Sequence, residues 1–201
     1  MISLNWRSSS YATSQQAPSG DQITALPEHR VEPAPGQGTV YWHMPMHDYP
    51  QVTGLACDAQ QRLAPFGGLH MTPLERLHMT TMVAGPADQF SGNQLDQMAC
   101  TAADLLSTMP PVTVTLGRVL YHPEAIMLGV SPAKALVPIR NGALTATCLA
   151  TGHDLAHDDL ECWTPHITVC YSTAHQPAAP SSPHSARAFP DATFRSALSA
   201  S

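Results

Sequence analysis

Two His-x-Thr tripeptides, each enclosed by apolar residues, constrain this chain more than any other feature of its sequence. One spans residues 78–80 within LHMTTMVAG, and the other spans residues 166–168 within WTPHITVCYS. On a β-strand, side chains two residues apart point to the same face of the sheet. We therefore expect each tripeptide to present an imidazole and a hydroxyl side by side, with its middle residue turned toward the core.

The spacing of apolar residues predicts the elements around the two tripeptides. Apolar and β-prone runs predict strands at residues 39–44, 77–83, 112–121, 125–130 and 167–171, and helical spacing predicts helices at residues 50–63, 93–107 and 136–149. The chain order is then β-α-β followed by α-β-β-α-β, so that in each half a helix leads into a His-x-Thr strand. This order predicts an α+β, pseudo-duplicated fold of two antiparallel sheets, each with a His-x-Thr strand in its middle and helices packed outside.

The composition changes at both ends of the predicted domain. Residues 1–36 are polar and rich in Ser, Gln, Ala and Pro, which is typical of a disordered tail. Residues 37–175 hold all of the helices and strands predicted above. Residues 176–201 are rich in Ala, Pro and Ser, and within them residues 192–198 predict one short edge strand. The sequence therefore predicts one ordered domain between two flexible ends.

The charge balance excludes a broad binding surface for duplex DNA. The 201 residues carry a formal charge of −6 and only 9 Lys and Arg side chains. Affinity for a duplex comes mainly from clustered cations that release counterions from the phosphates. A small nucleotide or an RNA end remains compatible with this balance, and we expect a monomer that acts on such a ligand.

Cysteine usage and hydropathy predict a cytoplasmic protein. The five cysteines are widely spaced and include no C-x-x-C pair, which is typical of reduced thiols. The segment MISLNWRSSSYATSQQ lacks the apolar stretch of a signal peptide, and no stretch of the chain predicts a membrane span. We therefore expect no contact with a membrane.

The segments LERLHMTTMVAG and WTPHITVCYS resemble the two signature segments of the 2H phosphoesterase superfamily. The nearest branch is the LigT-like family, usually labelled 2′-5′ RNA ligase or RNA 2′,3′-cyclic phosphodiesterase, and the resemblance covers residues 38–175. It implies a bilobal fold around a cleft that carries both motifs, and opening of 2′,3′-cyclic phosphates or related diesters without a metal ion or other cofactor. Carried over to this chain, His78 and His166 would be the acid/base pair, and Thr80 and Thr168 would hold the phosphate oxygens.

Histidine chemistry agrees with the roles that this resemblance implies. An unperturbed imidazole titrates near pH ~6.5, so one ring can accept a proton from water while the other donates to the departing ribose oxygen. Each role is typically worth about 10²–10⁴-fold in rate, and the hydroxyls would stabilise charge on the phosphorane-like centre. The sequence does not assign the two roles; for opening to a 2′-phosphate we favour His166 as base and His78 as acid.

Four further residues are candidate substrate contacts, and each has a structural alternative. Arg76 precedes the first histidine by two residues, so it would either share its face and reach phosphate or lie exposed at the strand start. His43 and Tyr41 lie on the first predicted strand, where His43 would face the cleft or pack as a structural histidine, and Tyr41 would stack on a base or pack in the core. Trp163 comes just before the second tripeptide and would stack on a base or pack over the core.

Other interpretations of the sequence remain open. His153 and His157 have the i, i+4 spacing of a helical zinc site, which would make the protein a metal hydrolase, but they lie in a polar loop without the glutamate of H-E-x-x-H. A third His-x-Thr, at residues 70–72, precedes Pro73 and is typical of a loop or strand end. RNA ligation would use the same acid/base chemistry with a ribose hydroxyl in place of water. The small, polar segment after the second motif departs from the family pattern, and it also fits a nucleotide- or RNA-binding module whose catalysis has decayed.

Overall fold

The computed structural model describes residues 2–5, 22–23, 38–122, 124–153, 163–174, 176–177 and 192–196. The strands in these ranges are β1 (Ile2–Asn5), β2 (Gln22–Ile23), β3 (Thr39–Pro45), β4 (Leu69–Met71), β5 (His78–Pro86), β6 (Val112–His122), β7 (Ala125–Ser131), β8 (His166–Ser172), β9 (Gln176–Pro177) and β10 (Ala192–Ser196). The helices are α1 (Pro50–Leu63), α2 (Gly92–Ser107) and α3 (Val137–Thr151). All three helices and all five main strands predicted from the sequence are present, with small differences at their ends.

Local sequence signals explain where the helices begin and end. Pro50 opens α1, where its fixed φ suits a first turn and its missing N–H costs nothing. α2 begins with a capping box, in which the Ser91 hydroxyl accepts from the Gln94 N–H and the Gln94 side chain accepts from the Ser91 N–H. α3 ends at Gly152, whose φ of 71° is the left-handed conformation that favours glycine. None of the helices in the described ranges is long and apolar enough to cross a membrane.

One antiparallel sheet contains eight of these strands, and a two-stranded sheet contains β2 and β9. The order across the large sheet is β1-β3-β5-β8-β7-β6-β10, and β4 pairs with the far end of β8. The sequence predicts two separate sheets, and here the structure differs. The two His-x-Thr strands, β5 and β8, pair with each other at Met79 and Ile167, so the predicted sheets are halves of one continuous sheet.

Two clusters of buried side chains pack the helices against this sheet. The α1 cluster includes Val52, Leu55, Met79, Leu128, Ile167 and Val169. The α2/α3 cluster includes Val40, Trp42, Met82, Met98, Ala143 and Ala146. In the second cluster, the indole N–H of Trp42 donates to the Thr147 hydroxyl at 2.8 Å and ties β3 to α3. Full burial of one large aliphatic side chain contributes roughly 1.5–3 kcal/mol, so both clusters hold their strands firmly.

Segments from both chain ends join the sheets. β1 and β2 come from the predicted tail at residues 1–36; β1 pairs with β3, and β2 pairs with β9. β10 lies within the segment for which an edge strand is predicted, and it pairs with β6. The apolar residues Ile2 and Leu4 alternate with polar ones, which is the strand pattern that corresponds to β1. The polar composition of residues 1–36 outweighs this short pattern and favours the prediction of a tail. The rest of the predicted tail lies outside the described residues.

Candidate functional site

The two His-x-Thr tripeptides have the same pattern of burial on their strands. On β5, His78 and Thr80 are partly exposed, whereas Met79 between them is fully buried. Residues 166–168 on β8 repeat this pattern, with Ile167 fully buried. Both imidazoles and both threonine hydroxyls therefore lie on the face of the sheet opposite the α1 cluster, which we call the motif face.

The pairing of β5 with β8 brings the two tripeptides together. Met79 and Ile167 are direct partners of an antiparallel pair. Because the two strands run in opposite directions, His78 lies on the same side of this pair as Thr168. In the same way, Thr80 lies on the same side as His166. The charge of His78 contributes to lowering the pKa of His166, as expected for two imidazoles on one surface.

Each of the two histidines is oriented by a backbone carbonyl two residues earlier in the chain. The Nδ1 atom of His78 lies 2.9 Å from the Arg76 carbonyl oxygen, and that of His166 lies 2.8 Å from the Thr164 carbonyl oxygen. A carbonyl oxygen can only accept, so Nδ1 carries the proton in both rings. The remaining nitrogen, Nε2, is then the atom that can take up or release a proton.

Each His-x-Thr strand has a β-bulge directly after its threonine. In β5 the extra residue is Thr81, where the register with β3 shifts. In β8 it is Val169, where the register with β7 shifts. A bulge increases the local twist and re-aims neighbouring side chains, and such bulges are common beside functional sites.

Side-chain hydrogen bonds hold both bulges in place. The Thr81 hydroxyl donates to the Trp42 carbonyl of β3 at 3.0 Å. On α1, the Gln60 side-chain amide donates to the carbonyls of Thr72 at 2.6 Å and Val169 at 2.9 Å. Gln60 cannot be recognised from the sequence, because a glutamine within an amphipathic helix carries no signal that it braces a distant strand.

Two histidines of this surface have lowered pKa values. Burial lowers the pKa of His166, and the charges of His122 and His78 lower it further, although the hydrogen bond to the Thr164 carbonyl opposes them. Burial also lowers the pKa of His43 to about 4, with a further contribution from the charge of His78. Both His166 and His43 are therefore favoured in the neutral form at neutral pH.

His122 interacts with His166 but is not among the candidate residues predicted from the sequence. It is the last residue of β6, and it is aligned through Ala125 of β7 with Tyr171 of β8. The Glu124 N–H donates to its Nδ1 at 3.3 Å, so the neutral ring carries its proton on Nε2. His122 comes to this surface through the pairing of three strands, β6, β7 and β8. This pairing cannot be read from the sequence of any single segment.

The two candidate contacts on β3 differ in their exposure. His43 lies opposite Thr80, and its ring centroid is 4.7 Å from that of His78, with an angle of 39° between the ring planes. Tyr41 pairs with Val83 and is only 9% exposed. His43 therefore borders the first tripeptide at the motif face, whereas Tyr41 is mostly covered.

Arg76 and Trp163 precede the two histidines without belonging to their strands. Arg76 is the last residue of the 3₁₀ turn Leu74–Arg76, and β5 begins only at His78. The exposed Arg76 side chain therefore does not share a strand face with His78, and the strand-based argument for a phosphate contact does not apply to it. Trp163 packs against the α1 cluster, and the Arg140 guanidinium carbon lies 5.6 Å from its ring centroid. This cation–π contact gives Trp163 a packing role in the structure.

The remaining histidine candidates have separate positions. His70 lies in the three-residue strand β4, where it pairs with Tyr171, so the third His-x-Thr lies at a strand end, one of its two predicted positions. His153 is exposed just after α3, and His157 lies outside the described residues. Within the described part of the chain, no group of three or more His, Cys, Asp or Glu side chains is arranged to hold a metal ion.

Comparisons with solved structures identify the fold. TT0787 of Thermus thermophilus matches with a TM-score of 0.56 at 18% identity, over 78% of this chain and 80% of that chain. The MHV ns2 PDE domain gives 0.54 at 11% identity over 78% and 96%, and apo E. coli LigT gives 0.53 at 13% identity over 79% and 82%. The antiparallel sheet with its packed helices is thus the LigT-like fold. No curated protein matches this chain.

The family follows from a sequence profile. The profile of the 2′-5′ RNA ligase superfamily matches residues 56–197, which include both His-x-Thr strands and most of the chain. This match confirms the superfamily that the two motif segments predict. The chain belongs to the 2′-5′ RNA ligase superfamily of 2H phosphoesterases.

Proposed function

We propose that this protein is a metal-independent cyclic phosphodiesterase that opens 2′,3′-cyclic phosphates of RNA ends or small nucleotides. Membership of the superfamily implies phosphoesterase or ligase activity. The observation that carries the more specific proposal is the pair of imidazoles with the same tautomer, which lie beside two hydroxyls on the motif face. Two such rings supply both proton transfers that hydrolysis of a cyclic diester requires.

The proposed reaction assigns one proton transfer to each histidine. Nε2 of neutral His166 accepts a proton from water as the water oxygen forms a bond to phosphorus. Nε2–H of protonated His78 donates to the 3′-oxygen as the bond from phosphorus to that oxygen breaks, which leaves a 2′-phosphate. The hydroxyls of Thr80 and Thr168 donate to the non-bridging oxygens, where negative charge increases in the transition state.

The environment of His166 supports its role as the base. A general base must be unprotonated before the reaction, and burial lowers the pKa of His166, which favours that form at neutral pH. Its backbone hydrogen bond at Nδ1 leaves Nε2 as the basic atom. The acid role is then assigned to His78, on the partner strand of the same pair.

The substrate class is proposed from charge and from related structures. E. coli LigT has been solved in complex with 3′-AMP, at a TM-score of 0.52 and 17% identity to this chain. We extend nucleotide binding to this chain, with the two halves of the sheet acting as two lobes and the phosphate lying between β5 and β8. The net charge of −6 favours a small nucleotide or an RNA end over a long RNA.

Hydrolysis of the four 2′,3′-cyclic nucleotides in the presence of EDTA tests this proposal. We expect wild-type turnover in EDTA, and a loss of kcat of about 10²–10⁴-fold in both His78→Ala and His166→Ala. His153→Ala is the matched control, because His153 is exposed and lies outside the proposed pair. Phosphorus NMR of the product reports whether the 2′- or the 3′-phosphate forms.

Three outcomes would overturn the proposal. Activity that is lost in EDTA and in His153→Ala indicates a metal hydrolase. Nucleotide binding without turnover, unchanged in both motif-histidine variants, indicates a binding module. Joining of RNA ends without hydrolysis would replace the proposed reaction with ligation.

A further inference from the structure

His43 is a third histidine at the first tripeptide, supplied by the neighbouring strand. It lies on β3 directly opposite Thr80, so its side chain emerges beside those of His78 and Thr80 on the motif face. It is partly buried, like the tripeptide residues it borders. Its place therefore differs from that of the exposed His47, which lies four residues later.

The His43 ring packs against the His78 ring. The two centroids are 4.7 Å apart and the planes are tilted by 39°, a separation at which aromatic rings make favourable contact. The Nδ1 atom of His78 is hydrogen-bonded to the Arg76 carbonyl. One bond at a single ring nitrogen still permits the ring to swing, and contact with a neighbouring ring restricts that motion.

The His43 ring can make this contact without adding charge. Burial lowers its pKa to about 4, so at neutral pH it is an uncharged neighbour for His78. Two further imidazoles interact across this surface, His166 of β8 and His122 of β6, and the exposed Arg76 lies at the turn before β5. A protonated ring at position 43 would instead repel an imidazolium at His78.

We propose that His43 is a positioning residue, whose ring holds the His78 imidazole with Nε2 directed at the leaving oxygen. This inference rests on the proposed function, since it concerns the group assigned as general acid. It assigns to His43 a role through His78 rather than a direct contact with substrate. A displacement of a catalytic group by about 1 Å can cost up to 10²-fold in rate, which sets the scale of the expected effect.

Steady-state kinetics of three variants test the proposal. We expect His43→Ala to lower kcat by about 10–100-fold with KM changed by less than about threefold, because the acid is misplaced while the substrate still binds. His43→Phe restores the ring contact without a ring nitrogen, and we expect it to recover most of the lost kcat. His47→Ala is the matched control, because it removes an exposed imidazole from the same segment.

Two kinetic results would overturn the inference. Equal losses in His43→Ala and His43→Phe with a raised KM would indicate that the ring nitrogens contact substrate. An unchanged kcat in His43→Ala would show that the contact does not position His78.

Proton NMR of the His78 ring tests the contact between the two rings without depending on turnover. The Hε1 resonance of His78, assigned from its loss in His78→Ala, senses the ring current of a packed neighbour. We expect this resonance to shift in His43→Ala, to return toward its wild-type position in His43→Phe and to stay unchanged in His47→Ala. A resonance unaffected in His43→Ala would overturn the inference even if the wild type hydrolysed every cyclic nucleotide. If the expected shifts occur in a protein that shows no turnover, the contact between the two rings is supported and only the proposed function is contradicted.

Discussion

The two His-x-Thr strands have the same backbone design but differ in the surroundings of their histidines. Both alternate partly exposed and buried residues, both bind the histidine Nδ1 to a carbonyl two residues earlier, and both bulge after the threonine. On β8, burial lowers the pKa of His166. On β5, the His78 ring instead packs against the ring of His43. The same His-x-Thr pattern thus acquires different proposed roles on the two strands from the residues that surround it.

The means by which each strand is anchored also differ. The β5 bulge is held from the adjacent strand, by the bond from Thr81 to the Trp42 carbonyl, and Trp42 is itself tied to Thr147 of α3. The β8 bulge is held from a helix on the buried side, by Gln60 of α1. The two bulges are therefore braced by different partners and can be perturbed separately, although the middle residues of both tripeptides, Met79 and Ile167, pack in the same α1 cluster.

The largest expected effect is the loss of kcat when either motif histidine is removed, and a change of substrate then distinguishes the acid from the base. With cyclic nucleotides, we expect His78→Ala and His166→Ala each to lose about 10²–10⁴-fold in kcat. With a phosphodiester that releases nitrophenolate, the leaving group needs no proton, so His78→Ala should regain most of its rate while His166→Ala should not. Stopped-flow absorbance of nitrophenolate measures both rates. If only His166→Ala regains its rate, the acid and base roles of the two histidines are exchanged. If neither variant regains its rate, the two histidines do not differ in the way proposed.

The hydroxyls provide a smaller test of symmetry between the strands. Thr80→Val and Thr168→Val remove a donor but keep the shape of the side chain. A hydrogen bond to a charged group contributes about 1.5–3 kcal/mol, so we expect each variant to lose about 10–100-fold in kcat/KM. The matched Thr→Ser variants retain the hydroxyl and should stay close to wild type. A loss confined to one threonine would show that a single strand binds the phosphate.

The sequence predicted the parts of this site that depend on local periodicity. The main helices and strands, the two tripeptides and the shared face of each His/Thr pair all follow from spacing that a single segment contains. The pairing of β5 with β8, the register of His43 opposite Thr80 and the contacts of Gln60 arise between segments far apart in the chain. Arg76 shows where local periodicity stops being informative, since it lies in a turn, where strand spacing does not fix the direction of a side chain.

A stability measurement tests the anchor of the second strand. Gln60→Leu removes the side-chain donor from the carbonyls of Thr72 and Val169, of which the Val169 carbonyl keeps a bond from the Thr72 N–H, and we expect the free energy of unfolding to fall by about 1–3 kcal/mol. Urea denaturation measures this change. Gln61→Leu is the matched control, because Gln61 is the next residue of α1 but is exposed. Equal effects of the two substitutions would mean that the bond to Val169 does not stabilise β8.

The smallest expected effect concerns acid stability and tests the neutral ring on the first strand. Unfolded His43 binds a proton below its ordinary pKa of 6.5, whereas folded His43 does so only near pH 4. Between these values the unfolded state binds more protons, so stability falls as the pH decreases from 6.5 to about 4. His43→Phe removes this contribution and keeps a ring, while His166 titrates in both proteins and cancels from the comparison. Because His43 is only partly buried, we discount the full shift for solvent screening and expect the wild type to lose about 1 kcal/mol more than His43→Phe over this window. Urea denaturation at neutral pH and near pH 4 measures the difference, and equal losses in the two proteins would mean that His43 is not held neutral beside His78.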